Sequence, residues 1–147
     1  MNQKLTAKQS IIINVPASKV WNALTDPDLI KQYCFGVEAI SDWKVGSPIS
    51  YKGVWKGKEF EDRGNVLKSE PEKLLLCNYW SSFSGLPDSM ENYQNVAYQL
   101  SPEHNGIKLT ITQDNIPDEK GRKQSEQNWG LVLNILKGLL ETEKMPG

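Results

Sequence analysis

The chain has 147 residues, 38% of them hydrophobic and 24% charged. A chain of this length fits one domain, here residues 1–147, which buries roughly 68–70% of its unfolded surface and needs no disulfide or metal to fold. Seventeen basic against eighteen acidic residues leave a net charge of −1, which excludes the electrostatic footprint of a nucleic-acid or anionic-membrane binder.

The opening MNQKLTAKQS is too polar for a signal peptide, and no apolar run reaches the length of a spanning helix, so the cytoplasm is the expected compartment. Residues 7–15 pass from polar to β-branched and predict a strand. Pro16 and Ser18 introduce a helix whose Ala17, Val20, Trp21 and Leu24 form one apolar stripe. Thr25-Asp26-Pro27 stops it and starts a second, short helix with Leu29, Ile30 and Tyr33 on its buried side.

From residue 37 the apolar period becomes two. Strands are predicted at Val37–Trp43, Pro48–Trp55, Lys58–Ser69, Lys73–Trp80, Asn92–Ser101 and Ile107–Asn115, separated by short turn sequences such as Lys56-Gly57 and Glu70-Pro71-Glu72. Short links between consecutive strands imply an antiparallel meander. The longer link, Ser81–Glu91, carries Phe83 and Leu86 and has the length of a functional lid.

Residues from about 122 to 143 return to helical period. Trp129, Val132, Leu133, Leu136, Leu139 and Leu140 share one face, and Leu131 and Ile135 widen it to roughly 200°, about twice what a surface helix needs. Such a helix is expected to be gripped on more than one side. The fold class is therefore α+β: a curved antiparallel sheet of about seven strands around a long C-terminal helix, with two short helices after the first strand.

This order resembles the helix-grip layout of the START-like, or SRPBCC, superfamily, in the branch named after the activator of the heat-shock-protein-90 ATPase. The stretch from Val15-Pro16-Ala17 through Trp21 to Thr25-Asp26-Pro27 and Tyr33 carries the likeness. So do Gly64-Asn65-Val66, Pro71-Glu72-Lys73-Leu74, and Asn128-Trp129 with Leu133, Leu136 and Leu140. Tyr33 stands where the branch often has Trp. The resemblance implies a cavity between sheet and long helix that in relatives holds lipids, steroids, polyketides or other apolar molecules, and it implies no single function.

The residues weigh the candidate sites unevenly. His104 is the only histidine and falls in a turn, and Cys34 and Cys77 have no CxxC partner, so neither a metal nor any other cofactor is expected. Ser-His-Asp or Cys-His catalysis lacks its base for the same reason. Gly53–Glu59 echoes a phosphate loop only faintly, because the spacing is one short and no Ser or Thr follows the lysine.

Strand parity is more informative. Tyr51 and Trp55 share a face with Ile49 and Gly53, Tyr79 with Leu75 and Cys77, Tyr98 with Val96 and Leu100, and Gln113 with Leu109 and Ile111. These are expected to converge near Trp129, Leu133 and Leu136, either as a filled core or as an apolar cavity with a few polar groups. Asp62 shares the face of Phe60 and Val66, and an inward carboxylate must be hydrogen-bonded, unless a bulge at Gly64 shifts the register. Gly138 in the long helix costs about 1 kcal/mol relative to alanine and either leaves room for a neighbour or has simply drifted on the surface.

Three functions follow as expectations. The first is a small-molecule (apolar or lipid-like) binding protein, monomeric or homodimeric, with no nucleic-acid or membrane partner. The second is an enzyme of the cyclase or hydrolase type, with Asp62 and a tyrosine as acid and base. The third is a protein-interaction or co-chaperone-like module.

Overall fold

In the computed structural model, which describes residues 4–143, the strands β1 (Leu5–Ile13), β2 (Glu38–Ile40), β3 (Pro48–Trp55), β4 (Lys58–Glu70), β5 (Leu74–Trp80), β6 (Gln94–Glu103) and β7 (Gly106–Ile116) form one antiparallel sheet. The helices are α1 (Ala17–Thr25), α2 (Pro27–Tyr33) and the long α3 (Glu119–Glu143), with a single 3-10 turn at Met90–Asn92. Strand order is β1-β7-β6-β5-β4-β3-β2, so β2 to β7 form a continuous meander and β1 closes onto β7. The sheet curves around α3, giving the α+β helix-grip arrangement.

Local chemistry sets the boundaries. Asp26 ends α1 and caps α2, its Oδ1 accepting from the Asp28 N–H at 2.9 Å, with Pro27 pre-set for the first turn. The strand expected to reach Trp43 stops at Ile40, because Ser41 Oγ accepts the Trp43 N–H and Asp42 Oδ1 the Lys44 N–H, both at 3.0 Å. Such side chain to backbone bonds offer the chain an alternative to the ladder. α3 begins at Glu119, three residues before the expected start near 122, where the preceding Asp118 accepts the Gly121 N–H on its Oδ1 at 2.8 Å. The β4 irregularity falls between Val66 and Lys68, not at Gly64. Gly64 is needed for another reason: a Cβ there would lie 2.0 Å from the Asn78 carbonyl oxygen.

The core fills the space between the closed end of the sheet and the helices. Ile13, Val20, Leu24, Leu75, Ile111, Leu133, Leu136 and Leu140 are buried in it. Tyr33 fits because its hydroxyl donates to the Ala23 carbonyl at 2.8 Å. α3 packs chiefly on β1 and β7, with α2 beside it. Its outer face is not gripped as expected: Leu131 is 55% and Ile135 36% exposed, because nothing packs over that side. Gly138 also meets nothing within 4 Å of a built Cβ, so no neighbour uses the room it leaves.

The free edge of β1 is occupied by side chains of α3. Glu126 accepts the Lys8 N–H, Lys137 donates to the Ile12 carbonyl at 2.6 Å, and Glu141 accepts the Asn14 N–H just beyond the strand at 2.9 Å.

Candidate functional site

Because α3 lies toward β1 and β7, its N-terminal half stands off from the far strands, and a cavity of about 470 Å³ opens between them. Tyr51 and Trp55 of β3, Phe60 and Asp62 of β4, and Cys77 and Tyr79 of β5 form its sheet wall. Val96, Tyr98 and Gln113 continue that wall toward the helix. Ser125, Asn128, Trp129 and Val132, spaced as one helical stripe, form the α3 wall. Cys34, Phe35 and Val37 from the α2–β2 link and Phe83 from the 81–93 connection complete it.

Aromatic contacts shape the space. Tyr51 and Tyr79 meet edge-on at 5.6 Å, and Tyr98 and Trp129 at 6.0 Å, geometries the ring quadrupoles favour. Phe60 and Phe83 lie 5.2 Å apart and join β4 to the long connection. Trp55 is 57% exposed, with the Lys56 ammonium 5.5 Å from its ring.

Asp62 is only 5% exposed, and both of its oxygens accept hydrogen bonds. Its Oδ2 accepts the Tyr79 hydroxyl at 2.6 Å, and its Oδ1 accepts the N–H and the hydroxyl of Ser82 at 2.8 and 2.9 Å. Those three bonds meet the requirement that a buried carboxylate be hydrogen-bonded. They also fasten the start of the 81–93 connection to the sheet. Farther along it, the Trp80 indole donates to the Leu86 carbonyl at 3.2 Å, and Arg63 lies 3.5 Å from Asp88.

A second polar chain runs through Gln113. Trp129 Nε1 donates to Gln113 Oε1 at 2.8 Å, and Gln113 Nε2 donates to Gln94 Oε1 at 2.5 Å. Both ends of the Gln113 amide are thereby committed, and the indole of α3 is fixed against β7.

The titratable groups lining the cavity are held neutral or tied up. Burial raises the phenols of Tyr51 and Tyr98 well above the ordinary tyrosine range, and burial together with the Asp62 carboxylate does the same for Tyr79. Burial pushes the thiols of Cys34 and Cys77 up to about 12, so neither is a thiolate nucleophile at neutral pH. His104 sits in the β6–β7 turn beside Glu103 at 3.8 Å and is not part of the cavity wall. Among the described residues no three His, Cys, Asp or Glu side chains cluster as metal ligands.

Tyr51, Trp55, Asp62, Tyr79, Tyr98, Gln113, Trp129 and Phe83 are thus brought around one space. Leu133 and Leu136 are not: each is 1% exposed and belongs to the packed core. Leu86 offers its carbonyl to Trp80 while its side chain is exposed. Phe60, Val54, Ser125, Asn128 and the α2–β2 link are additional wall residues. Phe60 shares the strand parity of Asp62 and could have been found that way. Ser125 and Asn128 share the stripe of Trp129, but polar residues on a helix read as a solvated face.

The family model described as Activator of Hsp90 ATPase homolog 1-like protein matches residues 14–141. No curated protein matches the chain in sequence. The solution structure of a Cytophaga hutchinsonii protein, ChR145, is 43% identical, covers 97% of this chain and 98% of its own, and superposes with a TM-score of 0.84. The Aha1 dimer of Colwellia psychrerythraea is 22% identical over 93% of this chain and 96% of that one, with a TM-score of 0.75. CalU16 of Micromonospora echinospora is 20% identical over 97% and 88%, with a TM-score of 0.68. The last two likenesses speak to the fold alone.

Proposed function

We propose, starting from the fact that this chain belongs to the Activator of Hsp90 ATPase homolog 1-like family, that it binds a small apolar molecule in the cavity between α3 and the sheet. The observation that carries the reading is the contrast between packed core and open space along one helix. A volume of about 470 Å³, walled mostly by aromatic and aliphatic side chains with a few polar groups, has the anatomy of a small-molecule site. Tyr51, Trp55, Tyr98 and Trp129 contact the ligand in this reading, and Phe83 closes over it as part of the lid.

Asp62 serves this site as a fastener. A general base must reach the substrate proton, and three of the roughly four lone-pair sites of Asp62 are already taken, one by Tyr79 and two by Ser82. The acid–base reading of Asp62 with a tyrosine is the weaker one for that reason. No helix among the described residues is long and apolar enough to cross a membrane.

The test is binding of an apolar fluorescent probe, read with thermal or denaturant unfolding. A ligand that binds only the folded state stabilises it by RT ln(1 + [L]/Kd), about 2.7 kcal/mol at a hundredfold excess over Kd. Trp55→Ala is expected to weaken the probe, while Lys52→Ala, an exposed position on the same strand, leaves it unchanged. Equal effects from the two, or no binding of any apolar probe, would overturn the reading.

A further inference from the structure

Resting on the reading of the cavity as a binding site, we propose that its inner end is a polar subsite in which the hydroxyls of Tyr51 and Tyr98 donate to an acceptor oxygen of an uncharged ligand, such as a ketone, quinone or lactone. A second void of about 50 Å³ adjoins the main cavity and shares with it the walls made by Tyr51, Tyr98 and Trp129. Trp43 lines this void alone of the two. Its Nε1 is buried with no hydrogen-bond partner, the one such side-chain atom among the described residues. That nitrogen is closed off from the void, which is itself large enough for a water or a small polar group, so the hydrogen-bonding groups a molecule can meet there are the two phenols.

The hydroxyls of Tyr51 and Tyr98 are unspent as well. Neither has a hydrogen bond within the described residues, and neither is sealed away as the Trp43 nitrogen is, so both open onto cavity space. The other polar tips nearby are taken: Trp129 donates to Gln113, and Tyr33 donates to the Ala23 carbonyl. Trp43 is held at φ 62°, a left-handed conformation that a bulky residue rarely adopts, with its N–H bonded to Ser41 Oγ. Strain of this kind persists where the surroundings fix it, and here it accompanies an unpartnered indole.

The charge of the ligand follows from what is missing from both walls. No Lys, Arg or His lines either space, and the one charged side chain, Asp62, is acidic. Burying an anionic ligand there would strip its hydration with no cation to replace it. A neutral oxygen accepts from the two phenols without that penalty.

Three probes that differ only in one ring substituent decide this: acetylnaphthalene, ethylnaphthalene and naphthoate, measured by quenching of protein fluorescence and by competition at pH 7.5. Acetylnaphthalene is expected to bind about tenfold tighter than ethylnaphthalene, as one or two net hydrogen bonds provide, and tighter than naphthoate. The double variant Tyr51→Phe, Tyr98→Phe is expected to bring the ketone-to-hydrocarbon ratio near one, with its circular dichroism and unfolding midpoint reporting that it has folded. If none of the three binds, the cavity is not a site for such molecules and the proposed function itself fails. If ketone and hydrocarbon bind equally, the donors serve water only, and the subsite is overturned while the binding reading stands. Tightest binding of naphthoate, or an unchanged ratio in the double variant, overturns it too.

Discussion

Along α3, the turns from Leu133 to Leu140 and those from Ser125 to Val132 approach the same sheet with different chemistry. The first set places Leu133, Leu136 and Leu140 into a packed core with Ile13, Val20 and Leu24. The second presents Ser125, Asn128 and Trp129 to a cavity, and it is tied to the sheet by the indole bond to Gln113 and by Glu126 at the edge of β1. One helix therefore holds the fold together with its C-terminal half and keeps a space open with its N-terminal half. Because the halves use different side chains, stability and binding can be changed separately.

The largest effect should come from the packed half. Leu136→Ala removes a fully buried side chain and is expected to lower unfolding free energy by about 2–5 kcal/mol in a denaturant titration. Relative affinities among bound probes should survive it, since Leu136 does not line the cavity. A loss below about 1 kcal/mol would erase the contrast between the halves.

Alkaline titration probes the open half. The phenols of Tyr51 and Tyr98 ionise less readily in the folded state, because burial disfavours the phenolate. Their folded pKa values lie above the unfolded one, so the native state holds protons that the unfolded chain releases above about pH 10. Their contribution to stability is complete below that pH and is lost as pH rises, by about 1.4 kcal/mol per pH unit for each phenol. Tyr51→Phe is expected to make that decline shallower, as read from urea midpoints between about pH 9 and 11.5. An unchanged slope would mean that Tyr51 is as well hydrated as a free phenol.

The smallest effect sharpens the comparison on the outer face. At Gly138 an added methyl meets nothing, so Gly138→Ala should stabilise the helix by up to about 1 kcal/mol without touching probe affinity. A destabilising result in the isolated chain would mean that the glycine answers to a contact made in solution.

The fold was largely legible in the chain because its periods change where its elements change. Period two from Pro48 to Ile116 carries the meander, and strand parity groups Tyr51, Asp62, Tyr79, Tyr98 and Gln113, which line the space beside α3. How far the helix stands from each strand was not legible, because that distance depends on the curvature of the whole sheet. For the same reason Leu133 and Leu136 read as cavity wall when they are core, and no apolar pattern marks Ser125 and Asn128 as facing the cavity. Leu131 and Ile135 misled in the other direction: an apolar arc states what could be buried, not what a neighbour reaches. The short β2 strand was hidden by turn-forming bonds from Ser41 and Asp42 that no apolar pattern records.

The side chains that α3 lays along β1 give the helix a further role, in colloidal behaviour. A nine-residue edge strand with bare N–H and C=O groups is a template onto which another chain can add, the first step toward a fibril. Glu126 and Lys137 cover two of its groups, at Lys8 and Ile12, and Glu141 covers the one that follows at Asn14. Any excursion that lifts α3 from the sheet therefore uncovers an adhesive edge and a greasy face in the same event. Resistance to aggregation is tied in this way to the seating of one helix.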